Sequence, residues 1–280
     1  MTHLSQALRR FDLSNPHEVA KTAIATVWKV AQSDGSPAAL KIFHDLDEKD
    51  EAPGFEVLRL WEGGPAARLF GRAPGMAVME WLEGPSLGDL SRDERDAEAN
   101  EHLIKVAQTA HQIPVHSLDV FETLEARFQT LFELRFAVDC PNTVRASVTE
   151  CKALAKDLLS SSPTPQLLHG DLHHDNVLKG PRGWCAIDPK GVVGDPAYEL
   201  ANAFRNPLGQ DALIRDPART HALAKGWAQA CGATPKRVLG WAACHTAVSM
   251  AWSLDTPFGA FPDSDLPEFY LSQMARAEEH

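Results

Sequence analysis

Hydrophobic positions follow two different periods in this chain, and the change falls near residue 85. Before it, apolar residues come in short alternating runs. Val27 and Val30, then Ala38 to Phe43, flank the polar turn Ser33-Asp34-Gly35-Ser36. Two apolar runs about an Asp-Gly predict a β-hairpin. Lys41 stands in the second run, between Leu40 and Ile42, either on a solvated face or as a buried charge. A short amphipathic helix is expected over residues 5–11. A second, over residues 56–61, follows the charged stretch Asp45 to Glu51 and stops at Gly63-Gly64. Residues 67–70 and 76–82 predict another antiparallel pair around Ala73-Pro74-Gly75. Four or five strands with one inserted helix make a small lobe over residues 1–82, and Gly84-Pro85 reads as a linker.

Beyond the linker the period is helical. Amphipathic runs at 92–112, 118–138 and 144–160 predict three helices, and runs at 217–230, 235–254 and 267–277 predict more. The fold class is therefore α+β: a small antiparallel lobe, then a larger, mainly helical lobe over residues 83–280. One polar interruption stands out. The apolar pair Leu167-Leu168 runs into His169-Gly170-Asp171-Leu172-His173-His174-Asp175-Asn176. Two short strands follow, Val177-Leu178 and Trp184 to Ile187, and the second ends on Asp188. Further on, Asp195-Pro196 with Glu199 one turn later has the form of a helix start.

Composition narrows the picture. Hydrophobic residues make up 44% and charged residues 23%, as in ordinary globular proteins. A net charge of -11 weighs against nucleic acid as a partner and is compatible with a cationic small substrate. The five cysteines, Cys140, Cys151, Cys185, Cys231 and Cys244, are odd in number and lack CxxC spacing. They read as free thiols in a reducing compartment, the cytoplasm. Residues 1–10 carry no apolar signal core. The apolar stretch at 238–254 is broken by His245, Thr246 and Ser249, so it reads as a buried helix and no membrane partner is expected. The expected assembly is a monomer or homodimer.

The polar interruption carries chemistry. Phosphoryl transfer requires a carboxylate to orient a hydroxyl, plus an amide oxygen and a second carboxylate to hold magnesium. The kinase catalytic loop reads H-R-D-L-x-x-x-N, and the spacing from Asp171 to Asn176 is the same. Asp171 at a strand end can serve as the base; taken alone, it could as well close an Asx turn. Asn176 and Asp188 supply the few oxygens that magnesium takes from protein. A rival reading makes His169, His173, His174 and Asp175 a zinc or iron site, but no helix aligns them. Asp195 and Glu199 either bind a cationic substrate or cap a helix and brace the loop. Trp241, Trp252 and Asp255 could line a substrate pocket, with core packing the alternative for the tryptophans.

These residues resemble the aminoglycoside/choline kinase-like phosphotransferases, which share the two-lobed protein-kinase-like fold. Thr26-Val27-Trp28-Lys29-Val30, residues 64–69, Arg182-Gly183-Trp184 and Asp188-Pro189-Lys190-Gly191 are closer to the aminoglycoside/hydroxyurea resistance kinases, which include streptomycin 6-phosphotransferases. The resemblance runs from about Ala20 to Asp255. It implies Asp171 as catalytic base, Asn176 and Asp188 as magnesium ligands, and Lys41 on the ATP phosphates. It also implies Glu80, Trp81 and Leu82 as a hinge whose backbone binds adenine. The family's helix glutamate has no obvious counterpart. Gly54 stands at its expected place, and Glu51, one turn earlier, is the expected partner of Lys41 rather than Glu56. The covering loop at residues 22–26 lacks glycine, and neither a DFG phenylalanine nor an A-P-E segment is present, which argues against a protein kinase. The expected function is ATP- and magnesium-dependent phosphorylation of a hydroxyl on a small cationic molecule, a streptomycin-type aminoglycoside first. Hydroxyurea or another small metabolite is the alternative acceptor, and a silent nucleotide-binding pseudokinase the alternative class.

Overall fold

The computed structural model describes residues 3–44, 51–253 and 263–277. Helix α1 (His3–Arg10) precedes β1 (Ser14–Lys21), β2 (Ala25–Ala31) and β3 (Pro37–Phe43); α2 (Ala52–Trp61), β4 (Leu69–Ala73) and β5 (Met76–Glu80) follow. The five strands form one antiparallel sheet in the order β1-β2-β3-β5-β4, which makes β3 the central strand. Its register sets Lys41 opposite Val27 and Ala77, and the lysine is buried rather than solvated. The β2–β3 turn is built from its own residues: Gly35 takes φ +83°, and Asp34 Oδ1 accepts the Ser36 N–H at 2.8 Å.

Strand β1 has no counterpart in the hydrophobic pattern. All its residues are exposed, so no alternation marks it. It is an edge strand, where the missing N–H of Pro16 costs no ladder bond. Strand β4 starts at Leu69 instead of Ala67, because Ala66 and Ala67 bridge to Ala186 in the other part of the molecule.

The helical part begins with α3 (Leu87–Arg92), capped by a reciprocal Ser86–Asp89 box. The helix expected over 92–112 is α4 (Asp96–His111), which starts four residues later because Glu94 takes φ +61° after the end of α3. The single helix expected over 118–138 is absent. Glu122–Thr123 form β6, and Thr123 Oγ1 then accepts the Ala126 N–H and starts α5 (Leu124–Arg127). Helix α6 (Gln129–Glu133) follows, and the chain is extended again at Leu134. The apolar period there reflects packing of short segments, with the Leu124 side chain filling the space left by Gly194.

Next come α7 (Asn142–Ser160), β7 (Gln166–Leu168), β8 (Val177–Gly180), β9 (Gly183–Ala186) and β10 (Val192–Gly194). β10 lies between β6 and β7. The last helices are α8 (Asp211–Ile214), α9 (Pro217–Cys231), α10 (Pro235–Trp252) and α11 (Leu266–Arg276). Helix α10 packs on α7, α9 and α11. It is apolar nearly all round, as a buried helix must be. Among the described residues no helix is long and apolar enough to cross a membrane.

Candidate active site

The site lies where the sheet meets the β7–β9 segment. A cavity of about 410 Å³ is lined on one side by Thr22 to Ala25, Ala39 and Lys41, and on the other by Asn176, Leu178, Ile187 and Asp188. Met79, Glu80, Trp81 and Leu82 run along its back. The site residues expected from the sequence other than Asp171 and Glu51 thus line one apolar cleft, and those two border it through Asn176 and Lys41.

Lys41 Nζ lies 3.0 Å from Glu51 Oε2 and 2.6 Å from Asp188 Oδ1. Burial pushes its ammonium towards deprotonation. The two carboxylates more than offset this and hold it above the usual lysine value. Asp188 responds in kind: burial raises it, but Lys41 and Lys190 bring it below the ordinary carboxylate range. Glu56 is elsewhere, paired with Arg59 on the exposed face of α2. The puzzle of Gly54 resolves on contact grounds. A Cβ there would collide with the Pro189 carbonyl, so this helix position must stay bare for the Asp188–Gly191 turn to close on α2. The carboxylate comes instead from Glu51 at the helix N-cap.

The geometry of the loop at residues 169–176 follows from β7 and its neighbours. Gly170 takes φ +80°, and Val192 sits 2.5 Å from where its Cβ would be, so only glycine fits between His169 and Asp171. His169 Nε2 donates to the Ile187 carbonyl at 2.9 Å, which leaves Nδ1 to accept the Asp171 N–H at 3.2 Å. Burial pushes the His169 imidazole down, keeping it neutral in this role. Asn176 Nδ2 donates to the Asp171 carbonyl at 3.0 Å, which leaves its amide oxygen available to the cleft. That oxygen and the Asp188 carboxylate are hard donors in one cavity, so the pair fits a magnesium ion that takes few ligands from protein.

The histidine metal reading finds no support. His174 Nε2 is bonded to Asn100, His169 to Ile187, and the Asp175 carboxylate to Arg92 at 2.8 and 3.0 Å. Among the described residues no three His, Cys, Asp or Glu side chains are grouped to hold a metal.

Asp195 and Glu199 brace the fold instead of opening to a ligand. Asp195 is the helix cap expected of it, here on a one-turn 3-10 helix at Pro196–Tyr198. Its second oxygen accepts from Arg237 Nε and Trp241 Nε1. Glu199 accepts the backbone N–H of His169 at 3.1 Å and that of Gly170 at 3.4 Å. Burial alone would raise its carboxyl, but the 2.9 Å hydrogen bond from His111 brings it below the ordinary value. Trp241 is core, whereas Trp252 is 38% exposed and stacks under Arg127. Asp255 lies outside the described residues.

Three features escaped the sequence reading. Asn202 Nδ2 donates to Asp171 Oδ1 at 2.7 Å. Lys190 Nζ reaches the second oxygen of Glu51. Arg182, on the β8–β9 turn, binds the Glu80 carboxylate and the carbonyls of Gly63, Gly64 and Ala66, fixing the segment behind the cleft. In the glycine-free covering loop, Thr22 Oγ1 accepts the Ala25 N–H at 3.1 Å and so closes the turn itself.

Buried neutral histidines predict an acid limit to stability. His169 and His245 are both pushed below 6.5 by burial. The unfolded chain therefore binds protons that the folded chain refuses, and stability falls as pH drops below about 6.5. Each histidine contributes up to about 1.4 kcal/mol per pH unit. Urea midpoints measured between about pH 7 and about pH 5 should fall steadily, and His245→Gln should flatten the slope.

A sheet-bound lysine clamped by two carboxylates, above a loop offering an aspartate and an asparagine, is the arrangement of a kinase-fold phosphotransferase. The chain belongs to the aminoglycoside/hydroxyurea antibiotic resistance kinase family, whose model matches residues 10–256. It is 32% identical to the streptomycin 3''-kinase of Klebsiella pneumoniae, over 88% of this chain and 90% of that one. It is 31% identical to the hydroxyurea phosphotransferase of Kitasatospora aureofaciens, over 72% and 60%. The streptomycin 6-kinase of Streptomyces griseus matches at 29%, over 70% and 64%. Among solved structures, a thermostable mutant of the aminoglycoside phosphotransferase APH(4)-Ia in complex with ADP and hygromycin B superposes with a TM-score of 0.65 over both whole chains at 16% identity. The ethanolamine kinase of Plasmodium vivax does so at 0.63 and 14% identity, over 95% of this chain and 82% of that one. At such identities these structures speak for the fold alone.

Proposed function

We propose that this enzyme transfers the γ-phosphate of ATP to a hydroxyl of a streptomycin-type aminoglycoside. One observation carries the transfer chemistry: Lys41, Asn176 and Asp188 face one cleft, and the Asp171 carboxylate stands on the loop beside it. The acceptor class rests on the likeness to streptomycin kinases over most of the chain.

In this reading residues 1–82 bind nucleotide and residues 83–280 carry the loop and the acceptor site. Backbone groups of Glu80, Trp81 and Leu82 hold adenine. Lys41, steadied by Glu51, binds the phosphates. Asp171 accepts a hydrogen bond from the acceptor hydroxyl, turns its oxygen towards the γ-phosphate and takes its proton. Asn176 and Asp188 would hold magnesium, which supplies positive charge against the phosphate oxygens. Catalysis is then mostly positioning and electrostatics.

Parallel assays of ATP turnover with streptomycin, other aminoglycosides, hydroxyurea and small alcohols test the acceptor. Streptomycin should give the highest kcat/KM. A higher value for hydroxyurea or a simple alcohol would overturn the assignment in favour of a metabolite kinase.

A further inference from the structure

We infer that Asn202 is a positioning residue for the catalytic carboxylate: it fixes the rotamer of Asp171 and leaves one oxygen of that group to the acceptor. The inference rests on the proposed role of Asp171 as base. Asn202 Nδ2 lies 2.7 Å from Asp171 Oδ1, and a carboxylate has no proton to give, so the amide donates. Asn202 is itself held. Asn206 Nδ2 donates to its backbone carbonyl at 2.8 Å and to its side-chain oxygen at 3.2 Å. With Oδ1 of Asn202 accepting from Asn206, its amide nitrogen must face Asp171, and the flipped amide is excluded.

The local winding explains why this residue is there. Residues 196–198 and 201–205 are 3-10 turns joined by Glu199 and Leu200, so the chain winds tightly past the loop at both Glu199 and Asn202. Glu199 and Asn202 are three apart, and both reach the catalytic loop. Glu199 takes the backbone N–H groups of His169 and Gly170, and Asn202 takes the Asp171 side chain. Arg219 anchors the end of the segment, donating to the Asn206 carbonyl at 2.7 Å. Asp171 is thereby fixed at three points: its N–H by His169, its carbonyl by Asn176 and its Oδ1 by Asn202. Oδ2 is left as the oxygen for the acceptor hydroxyl.

Two variants separate positioning from space filling. Asn202→Ala removes the donor and the bulk. Asn202→Asp keeps the shape and still accepts from Asn206, but it cannot donate when ionised and sets a second negative charge against Asp171. Steady-state kinetics with ATP and streptomycin should show kcat lower by about 10- to 100-fold in Asn202→Ala, with KM for both substrates unchanged and a larger fall in Asn202→Asp. In the Asp171→Asn background, Asn202→Ala should cause no further loss. Near-wild-type turnover by Asn202→Asp would overturn the inference. So would additive losses in the double variant, or a fall expressed as a raised KM for streptomycin, which would put Asn202 on the acceptor. If Asp171→Asn itself turns over normally, the base assignment fails and this inference with it. An inert Asp171→Asn beside an active Asn202→Asp overturns the inference alone.

Discussion

Asp171→Asn is expected to lose about 10²- to 10⁴-fold in kcat, the range that a positioned general base supplies, while ATP binding stays at the wild-type level. The reason lies in the separation of tasks within the site. Lys41 and Asp188 line the cleft with the segment from Glu80 to Leu82, Glu51 borders it through Lys41, and among the described residues none of their hydrogen bonds runs to the Asp171 side chain. Among the described residues the Asp171 carboxylate makes one bond, to Asn202, and asparagine can keep a bond of that length. The substitution therefore removes a charge and a proton acceptor with little change of shape. Kinetics beside nucleotide-binding titrations check the pair of outcomes. A raised dissociation constant for ATP with kcat unchanged would mean that Asp171 serves the nucleotide.

Asp195→Ala is expected to destabilise the fold by about 3–5 kcal/mol, the cost of leaving one partner of a buried ion pair alone, with no specific effect on the acceptor. Asp195 is fully buried and satisfies three donors at once: the Ala197 N–H, Arg237 Nε and Trp241 Nε1. Its loss uncaps the segment that carries Glu199 and Asn202, and strands the indole N–H of Trp241 in the core. Asp195→Asn, which can still accept from the amide and the indole, should fall between Ala and wild type. Denaturant midpoints measure both. Unchanged midpoints with a raised KM for streptomycin would restore the reading of Asp195 as a ligand for a cationic substrate.

How far the sequence could be read depended on whether a residue's partner lies near it in the chain. The hairpin around Gly35, the buried period of α10 and the spacing from Asp171 to Asn176 are local patterns, and the structure displays each of them. The lysine in β3 is ambiguous in the sequence because burial belongs to the sheet, and nothing in five neighbouring residues says that β3 is central. Asn202 and Lys190 could not be found that way, because their partners, Asp171 and Glu51, are distant in sequence and meet them only after the 3-10 turns and the Asp188–Gly191 turn have formed. Misreadings have equally physical causes. The apolar period over 118–138 is real, but Thr123 and the close approach of Leu124 to Gly194 break the helix it suggests. Strand β1 is invisible because an edge strand need bury nothing.

Transfer of label from γ-labelled ATP to streptomycin, with wild-type enzyme and Asp171→Asn run side by side, tests the assignment of Asp171 and of the acceptor together. Labelled phosphostreptomycin is expected from the wild type, and almost none from the variant under conditions where both bind ATP equally. Label reaching streptomycin at the same rate in both would mean that Asp171 is not the base.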